Sequence, residues 1–293
     1  MPFKILPLIL MSLWYAFLSG QEASEIWLFD LEETDDAIRL SNPVNISDNP
    51  GYDNQPTFTE DGLYILFSSE RQGQTDVARY SLAERYRTWL TDTPDSEYSP
   101  APHMGKKKYF SCVRQNGDES QYLYRYAYKN KEPQVIIPDL KVGYYLWFDK
   151  RTLVTFVIGD TETLQVTNFK YGIRYPIEEN IGRSLQKIPL VVNDFGGLLS
   201  FISLQHDSPE IYAIDPKNSE QKYIGDALPN SQDLVWTVAG TMLMGNDGGV
   251  YSYMPGVSES WTPVEIEADR SFRGFSRMAV SPDGKKIAVV IDE

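Results

Sequence analysis

Short runs in which apolar and polar residues alternate follow one another along most of the chain. LYILFSS, KYFSCVR, TLVTFVI and TLQVTNF have the two-residue period of strands with one buried face. Turn-forming groups such as Asp61-Gly62 and Asn116-Gly117-Asp118 separate these runs. Helical periodicity is nearly absent. The pattern therefore predicts an all-β protein, either a sandwich, a barrel or a propeller.

A repeat of about 44 residues decides between these architectures. One apolar residue precedes the first hairpin turn of each unit, and these anchors are Phe58, Pro102, Trp147, Ile188, Trp236 and Val280. Their spacings are 44, 45, 41, 48 and 44 residues. A unit of that length with about four strands is typical of one propeller blade, whereas a sandwich would not keep the spacing. The sequence predicts a six-bladed β-propeller of four-stranded antiparallel blades.

The last unit is incomplete, because it stops after its second strand, KIAVVID. Near the start of the chain, EIWLFDLE resembles the third strand TDVARYSL, and AIRLSNPV resembles the outermost strand RTWLTDTP. We therefore expect five blades from continuous sequence and a sixth composite blade. Its inner strands come from the C-terminus and its outer strands from the N-terminus. Such a blade closes the ring and removes free strand edges.

Three segments, SPDGKKIAVV, TEDGLYILFSS and GYDNQPTF, resemble the repeats of TolB-type six-bladed propellers, also called WD40-like or PD40 repeats. The resemblance covers the chain from about Glu25 to Glu293. It implies an exported bacterial binding or scaffold module. Related propellers also act as gating domains of serine peptidases, but no hydrolase domain follows in this sequence, so we expect no peptidase activity.

The first twenty residues predict a secretory signal peptide. Lys4 precedes an apolar run from Ile5 to Leu18, and Ser19 and Gly20 form a cleavage zone. The run is too short to span a membrane comfortably. We expect residues 21–293 to form the mature propeller, a periplasmic or secreted monomer.

The charge and cysteine content narrow the classes of ligand and chemistry. The net charge of −14, from 41 acidic and 27 basic residues, argues against nucleic-acid binding. The single cysteine, Cys112, alternates with apolar residues and is expected to be a buried thiol. No G-x-S-x-G, H-E-x-x-H, C-x-x-C, Walker or G-x-G-x-x-G motif occurs. His103 and His206 are expected in solvated hairpin loops, so neither a catalytic triad nor a histidine zinc site is expected.

The loops that enter the innermost strands are the best candidates for a binding site. They read GYDNQP, DSEYSP, KVGYYL, NIGRSLQ, NSQDLV and RGFSRM, and in a propeller they converge at one mouth of the central channel. Their charged and aromatic residues suit a polar ligand or a peptide end. The candidate ligand-binding residues are Asp53, Asn54, Gln55, Glu97, Tyr98, Tyr144, Tyr145, Arg183, Ser184, Asp233, Arg273 and Arg277.

Two interpretations of these loops stay open. In the first, the protein is a non-enzymatic module that binds a protein or peptide through the mouth. In the second, Arg183 and Arg277 merely neutralise Asp233 and Glu97 in a narrow polar channel. Recognition of a glycan by the mouth tyrosines is a further alternative.

An enzymatic alternative is a metal-dependent lactonase or sugar lyase. It requires Asp53, Glu97 and Asp233 to hold one cation at the mouth, and their oxygen ligands suit Ca²⁺. A second acidic cluster comprises Asp30, Glu32, Glu33, Asp35 and Asp36. It lacks the spacing of a recognised calcium loop, which favours a solvated turn. We expect no cofactor, with Ca²⁺ as the one candidate.

Overall fold

A computed structural model describes residues 22–34, 37–129 and 132–292. This part of the chain contains strands and turns but no helix, and so no helix that could cross a membrane. The predicted signal peptide lies outside the described residues. The strands are β1 Ser24–Glu33, β2 Ile38–Asn45, β3 Asp53–Phe58, β4 Tyr64–Arg71, β5 Gln74–Ser81, β6 Tyr86–Trp89, β7 Ser96–Pro102, β8 Tyr109–Gln115, β9 Gln121–Ala127, β10 Gln134–Ile137, β11 Val142–Trp147, β12 Thr152–Val157, β13 Thr163–Asn168, β14 Ile173–Glu179, β15 Ile181–Lys187, β16 Leu199–Ser203, β17 Glu210–Ile214, β18 Gln221–Asp226, β19 Leu234–Trp236, β20 Met242–Asn246, β21 Gly249–Tyr253, β22 Thr262–Pro263, β23 Glu265–Ile266, β24 Phe275–Val280 and β25 Lys286–Asp292.

The strands form six sheets, which are the blades of a propeller. Blades 1 to 5 are β3–β6, β7–β10, β11–β14, β15–β18 and β19–β22, and each contains four strands that are consecutive in the chain. Neighbouring strands in these blades are antiparallel, and the first strand of each lies innermost. The predicted fold class is confirmed.

Blade 6 is the predicted composite blade, in the order β24-β25-β1-β2. Trp27 pairs with Val289 and Phe29 with Ile287, so the two ends of the chain share one sheet. An additional short strand, β23, pairs in parallel with β2 and was not predicted. The chain leaving blade 5 thereby covers the outer edge of blade 6, which would otherwise be free to pair with another chain.

The repeat anchors mark the ends of the innermost strands. Five of them are the last residue of such a strand, and Ile188 directly follows the sixth. The glycines of the following Asp-Gly turns, Gly62 and Gly284, have φ angles of 68° and 72°. A residue with a side chain is strained at such angles, which explains why glycine occupies both positions.

Two tryptophans connect blades in the same way. The indole nitrogen of Trp147 donates to Ser111 Oγ at 3.0 Å, and that of Trp236 donates to Ser200 Oγ at 2.8 Å. Each serine lies 36 residues earlier, on the second strand of the preceding blade. The equal spacing shows that the sequence repeat specifies packing between blades as well as strand positions.

The hydrophobic core lies between neighbouring blades. One cluster joins Ile26 and Leu28 of β1 with Val290 of β25 and with Phe67 of blade 1. Both ends of the chain are therefore packed against the same neighbour. Cys112 is fully buried in the cluster between blades 1 and 2, as predicted.

Candidate functional site

The channel mouth is shaped by irregular pairing near the start of the innermost strands. In blade 1 the register shifts between Asn54 and Thr57, and in blade 2 it shifts between Tyr98 and Ala101. The innermost strands of blades 3, 4 and 6 carry comparable shifts. A bulge of this kind bends a strand and re-aims its side chains. It therefore turns residues of the predicted loops towards the channel.

Blades 1 and 2 build their bulges from the same local sequence. Gln55 and Ser99 occupy equivalent positions and have φ angles of 58° and 52°. A proline follows each of them. Proline has no backbone N–H, but at a bulge this removes no hydrogen bond between the strands. The Gln55 Oε1 atom accepts bonds from the Ser99 backbone N–H and from the Ser68 hydroxyl, both at 2.7 Å. This contact joins blade 1 to blade 2.

An arginine-carboxylate pair lies at the centre of the mouth. Arg183 of blade 4 donates from Nε and Nη2 to the two carboxylate oxygens of Asp233, at 2.9 and 2.5 Å. Arg277 of blade 6 approaches the same carboxylate, with Nε 3.7 Å from Oδ1. Two guanidinium groups thus share one carboxylate.

Arg277 extends this network to two more blades. Its Nη1 donates to Asn54 Oδ1 at 2.8 Å, and its Nη2 donates to the Tyr144 hydroxyl at 2.7 Å. Asn54 Oδ1 also accepts the backbone N–H of Gln55. Together with the Gln55–Ser99 contact and the Arg277–Asp233 ion pair, these hydrogen bonds connect all six blades around the mouth.

The network surrounds a cavity of about 130 Å³. Its walls include Gln55, Ser99, Tyr144, Tyr145, Arg183, Ser184, Asp233 and Arg277, together with Gln186 and Met278. Two guanidinium groups and one carboxylate give these walls a net positive charge, in a chain whose overall charge is −14. The mouth is therefore suited to an anionic group.

Asp53 and Glu97 do not line this cavity, although both were predicted to be site residues. Each carboxyl group is fully buried, and burial raises the pKa of each to about 7. Both Asp53 oxygens and one Glu97 oxygen have no hydrogen-bond partner among the described residues. Arg114 lies 4.0 Å from Glu97 but binds mainly to Asp95, so burial decides the direction of the Glu97 pKa shift.

The remaining predicted residues have different surroundings. Tyr98 packs edge-on against Tyr52, with ring centroids 6.4 Å apart. The Tyr145 hydroxyl donates to Ser111 Oγ, and Ser184 exchanges hydrogen bonds with the backbone of Leu234. Arg273 is exposed and lines a separate groove beside Trp27 and Phe272, so the structure does not bring it to the cavity.

The second interpretation pairs Arg183 and Arg277 with two carboxylates, and the structure contains this pairing for one of the two. Arg183 and Arg277 do pair with Asp233. Glu97 instead accepts hydrogen bonds from Thr93 and Tyr126, at 2.6 and 2.9 Å. Sequence reasoning missed Ser68, which lies on β4 outside the loops, and did not select Gln186, which is the last residue of the loop NIGRSLQ. The two-residue alternation of β4 is the signal that could have found Ser68.

The carboxylates required by the enzymatic alternative do not converge. Among the described residues, no three His, Cys, Asp or Glu side chains are placed to hold one metal ion. Asp233 is bound by Arg183, whereas Asp53 and Glu97 are buried at separate positions in blades 1 and 2.

The second acidic cluster is divided among protein partners. Asp30 pairs with Lys286 and Asn42, and Glu33 accepts bonds from Thr237 and Thr241. Asp35 and Asp36 lie outside the described residues.

The two histidines differ in their surroundings. His206 is exposed, as predicted, and lies 3.5 Å from Glu210. The prediction for His103 is wrong, because only 5% of its surface is exposed. Its imidazole stacks on Trp147 with ring centroids 4.3 Å apart. Burial lowers the His103 pKa to about 4, so this side chain is neutral at pH 7.

Solved structures with the same architecture cover nearly the whole chain. A protein designated TolB from Agrobacterium tumefaciens superposes with a TM-score of 0.67 at 15% identity, over 94% of this chain and 99% of that one. TolB from Acinetobacter baumannii gives 0.55 at 11% identity, over 92% of this chain and 64% of that one. The chain has a TolB-type propeller fold. At these identities the likeness shows the fold alone.

The same fold carries different activities in other proteins. An oligogalacturonate lyase from Vibrio parahaemolyticus superposes on this TolB-type propeller with a TM-score of 0.57 at 12% identity, over 91% of this chain and 86% of that one. No family model and no curated protein matches the sequence. The fold is therefore shared by proteins of different function, and the side chains of the site are what indicate the function of this chain.

Proposed function

We propose that the protein is an exported, non-enzymatic propeller that binds a protein or peptide partner at the channel mouth. The observation that carries this proposal is the pair Arg183 and Arg277 on a single carboxylate, Asp233. A partner carboxylate would complete the charge balance there. The cavity of about 130 Å³ has room for such a group. The TolB-type fold is consistent with a binding role.

Selection from a peptide library tests this proposal. Peptides captured by the mature protein are expected to carry Asp, Glu or a free C-terminal carboxylate. The double variant Arg183→Gln/Arg277→Gln should bind them at least tenfold more weakly, since a charge-assisted hydrogen bond is worth roughly 1.5–3 kcal/mol. Affinity is measured by isothermal titration calorimetry.

The matched control removes one arginine on the outer edge of the molecule. Arg39 forms an exposed ion pair with Glu265, so Arg39→Gln should keep full affinity. Equal binding of amidated, acid-free peptides would contradict the proposal. So would full affinity in the folded double variant.

Export is the second part of the proposal and rests on the sequence of residues 1–20. Expression of residues 1–293 in a Gram-negative host should yield a periplasmic protein whose first residue is Gln21. N-terminal sequencing of the periplasmic fraction measures this. A chain that starts at Gln21 should remain in the cytoplasm, and a periplasmic protein that retains Met1 would contradict cleavage.

A further inference from the structure

A groove of about 360 Å³ lies between blades 1 and 2, away from the channel mouth. It opens between the first hairpin turns of the two blades, at Asp61 and Lys107, and extends along their outer strands to Arg79 and Tyr128. No residue of this groove lines the cavity at the mouth. Any ligand of this groove is therefore independent of the partner proposed above.

One cation that lines the groove, Arg79, has a donor atom with no acceptor among the described residues. The guanidinium group of Arg79 stacks over the ring of Tyr64, at 4.6 Å from its centroid. The Arg79 Nε atom is buried and has no hydrogen-bond partner among the described residues. By contrast, Arg71 in the same blade binds Asp76 and Asp92, both at 2.7 Å. Arg79 also lines the groove, so its guanidinium group can donate charge-assisted hydrogen bonds to a ligand carboxylate there.

Aromatic rings form the side walls of the groove. Tyr64, Tyr109 and Tyr128 all line it. Tyr128 packs against Phe110 with ring centroids 5.3 Å apart, which holds its ring in place. Burial raises the Tyr128 pKa to about 12, so its hydroxyl remains a neutral donor at pH 7. Such walls suit the C–H face and the hydroxyl groups of a compact ligand.

The outer rim carries opposite charges. Asp61 accepts bonds from the Thr59 hydroxyl at 2.6 Å and from the Leu63 N–H at 3.0 Å, which makes it part of the turn. Glu60 and Lys107 are exposed on the same rim. An anionic group is therefore favoured at Arg79, whereas the rim suits hydroxyl groups that can both donate and accept.

We propose that this groove binds a hydroxylated carboxylic acid of about the size of one sugar unit. Its carboxylate meets the Arg79 guanidinium, its hydroxyl groups meet Glu60 and the Tyr128 hydroxyl, and its carbon skeleton packs on the tyrosine rings. A neutral sugar would leave the Arg79 guanidinium group without a charged acceptor. A bare carboxylate would leave the tyrosine walls uncovered.

Saturation-transfer NMR and calorimetry with D-glucuronate test this assignment, with D-glucose and acetate as the comparison ligands. The mature protein is expected to bind D-glucuronate at least tenfold more tightly than either of the other two. Arg79→Gln should weaken D-glucuronate binding at least tenfold, and Tyr128→Phe about threefold. Equal affinity for D-glucose and D-glucuronate, or no binding of D-glucuronate, would overturn the proposal.

Controls separate the groove from the channel mouth and from loss of folding. Arg151→Gln removes an exposed arginine from a turn of blade 3 and should leave the affinity unchanged. Arg183→Gln/Arg277→Gln should also retain full D-glucuronate binding. If Arg79→Gln does not fold, Arg79→Lys keeps a cation but loses the planar fork, and it should bind several-fold more weakly. Unchanged binding in a folded Arg79 variant would refute the assignment.

Discussion

A chain shortened to end at Lys285 is expected to lose its cooperative unfolding transition. The deletion removes all of β25, which joins β24 to β1 in blade 6. Ile287, Val289, Val290 and Ile291 are at most 4% exposed in this strand. Burial of one such side chain contributes about 2 kcal/mol. Four of them amount to much of the roughly 5–15 kcal/mol by which a folded protein is stable.

Urea unfolding followed by near-ultraviolet circular dichroism measures this effect. A chain that ends at Ile291 is the matched control, since it keeps the apolar residues of β25 and should unfold cooperatively within about 1 kcal/mol of the full chain. An unchanged midpoint for the chain ending at Lys285 would show that the ring does not depend on closure by the two termini.

Stability is expected to fall as the pH rises from about 5 to 8. The folded-state pKa values of Asp53 and Glu97 are about 7, above their usual values of 3.8 and 4.5. Between these limits the folded state holds protons that the unfolded chain releases. The contribution of these two groups to the free energy of unfolding is therefore fully present below pH 4 to 5, and it is lost as the pH rises through 7. Each group should cost about 3 kcal/mol across this window.

Substitution by neutral amides isolates these two groups. The variant Asp53→Asn/Glu97→Gln should be the more stable protein at pH 8 and should show a nearly flat profile from pH 5 to 8. Asp61→Asn is the control, because hydrogen bonds from Thr59 and the Leu63 N–H lower the Asp61 pKa and move its effect below pH 4. Urea midpoints at each pH provide the measurement. A profile of unchanged slope in the double variant would contradict the buried-carboxyl explanation.

The sequence predicted which residues lie at the channel mouth, but it did not predict which side chains they bind there. It placed Arg183, Asp233 and Arg277 together, because each lies three to five residues before a repeat anchor. It could not predict that Asp233 takes both arginines while Glu97 turns towards Tyr126. These choices depend on the bulges, which change side-chain direction without changing the repeat.

The residues that line the groove between blades 1 and 2 could not be predicted from the sequence either. Arg79 lies on β5, Tyr109 on β8 and Tyr128 directly after β9, and no local motif joins them. The sequence predicts a solvated His103 because of its place in a hairpin loop, yet Trp147 of the next blade covers its ring. Contacts between blades decide such positions, and they join residues that are far apart in sequence.

The sequence by itself determined the number of blades, the ends of the innermost strands and the closure of the ring by both termini. These features follow from turn chemistry and two-residue alternation, which act locally and recur every 44 residues or so. Only the tertiary structure decided which charges pair, which carboxyls are buried, and where a groove opens between blades. Those properties arise where separate repeats meet, and the free energy of each contact depends on how completely its neighbours exclude water.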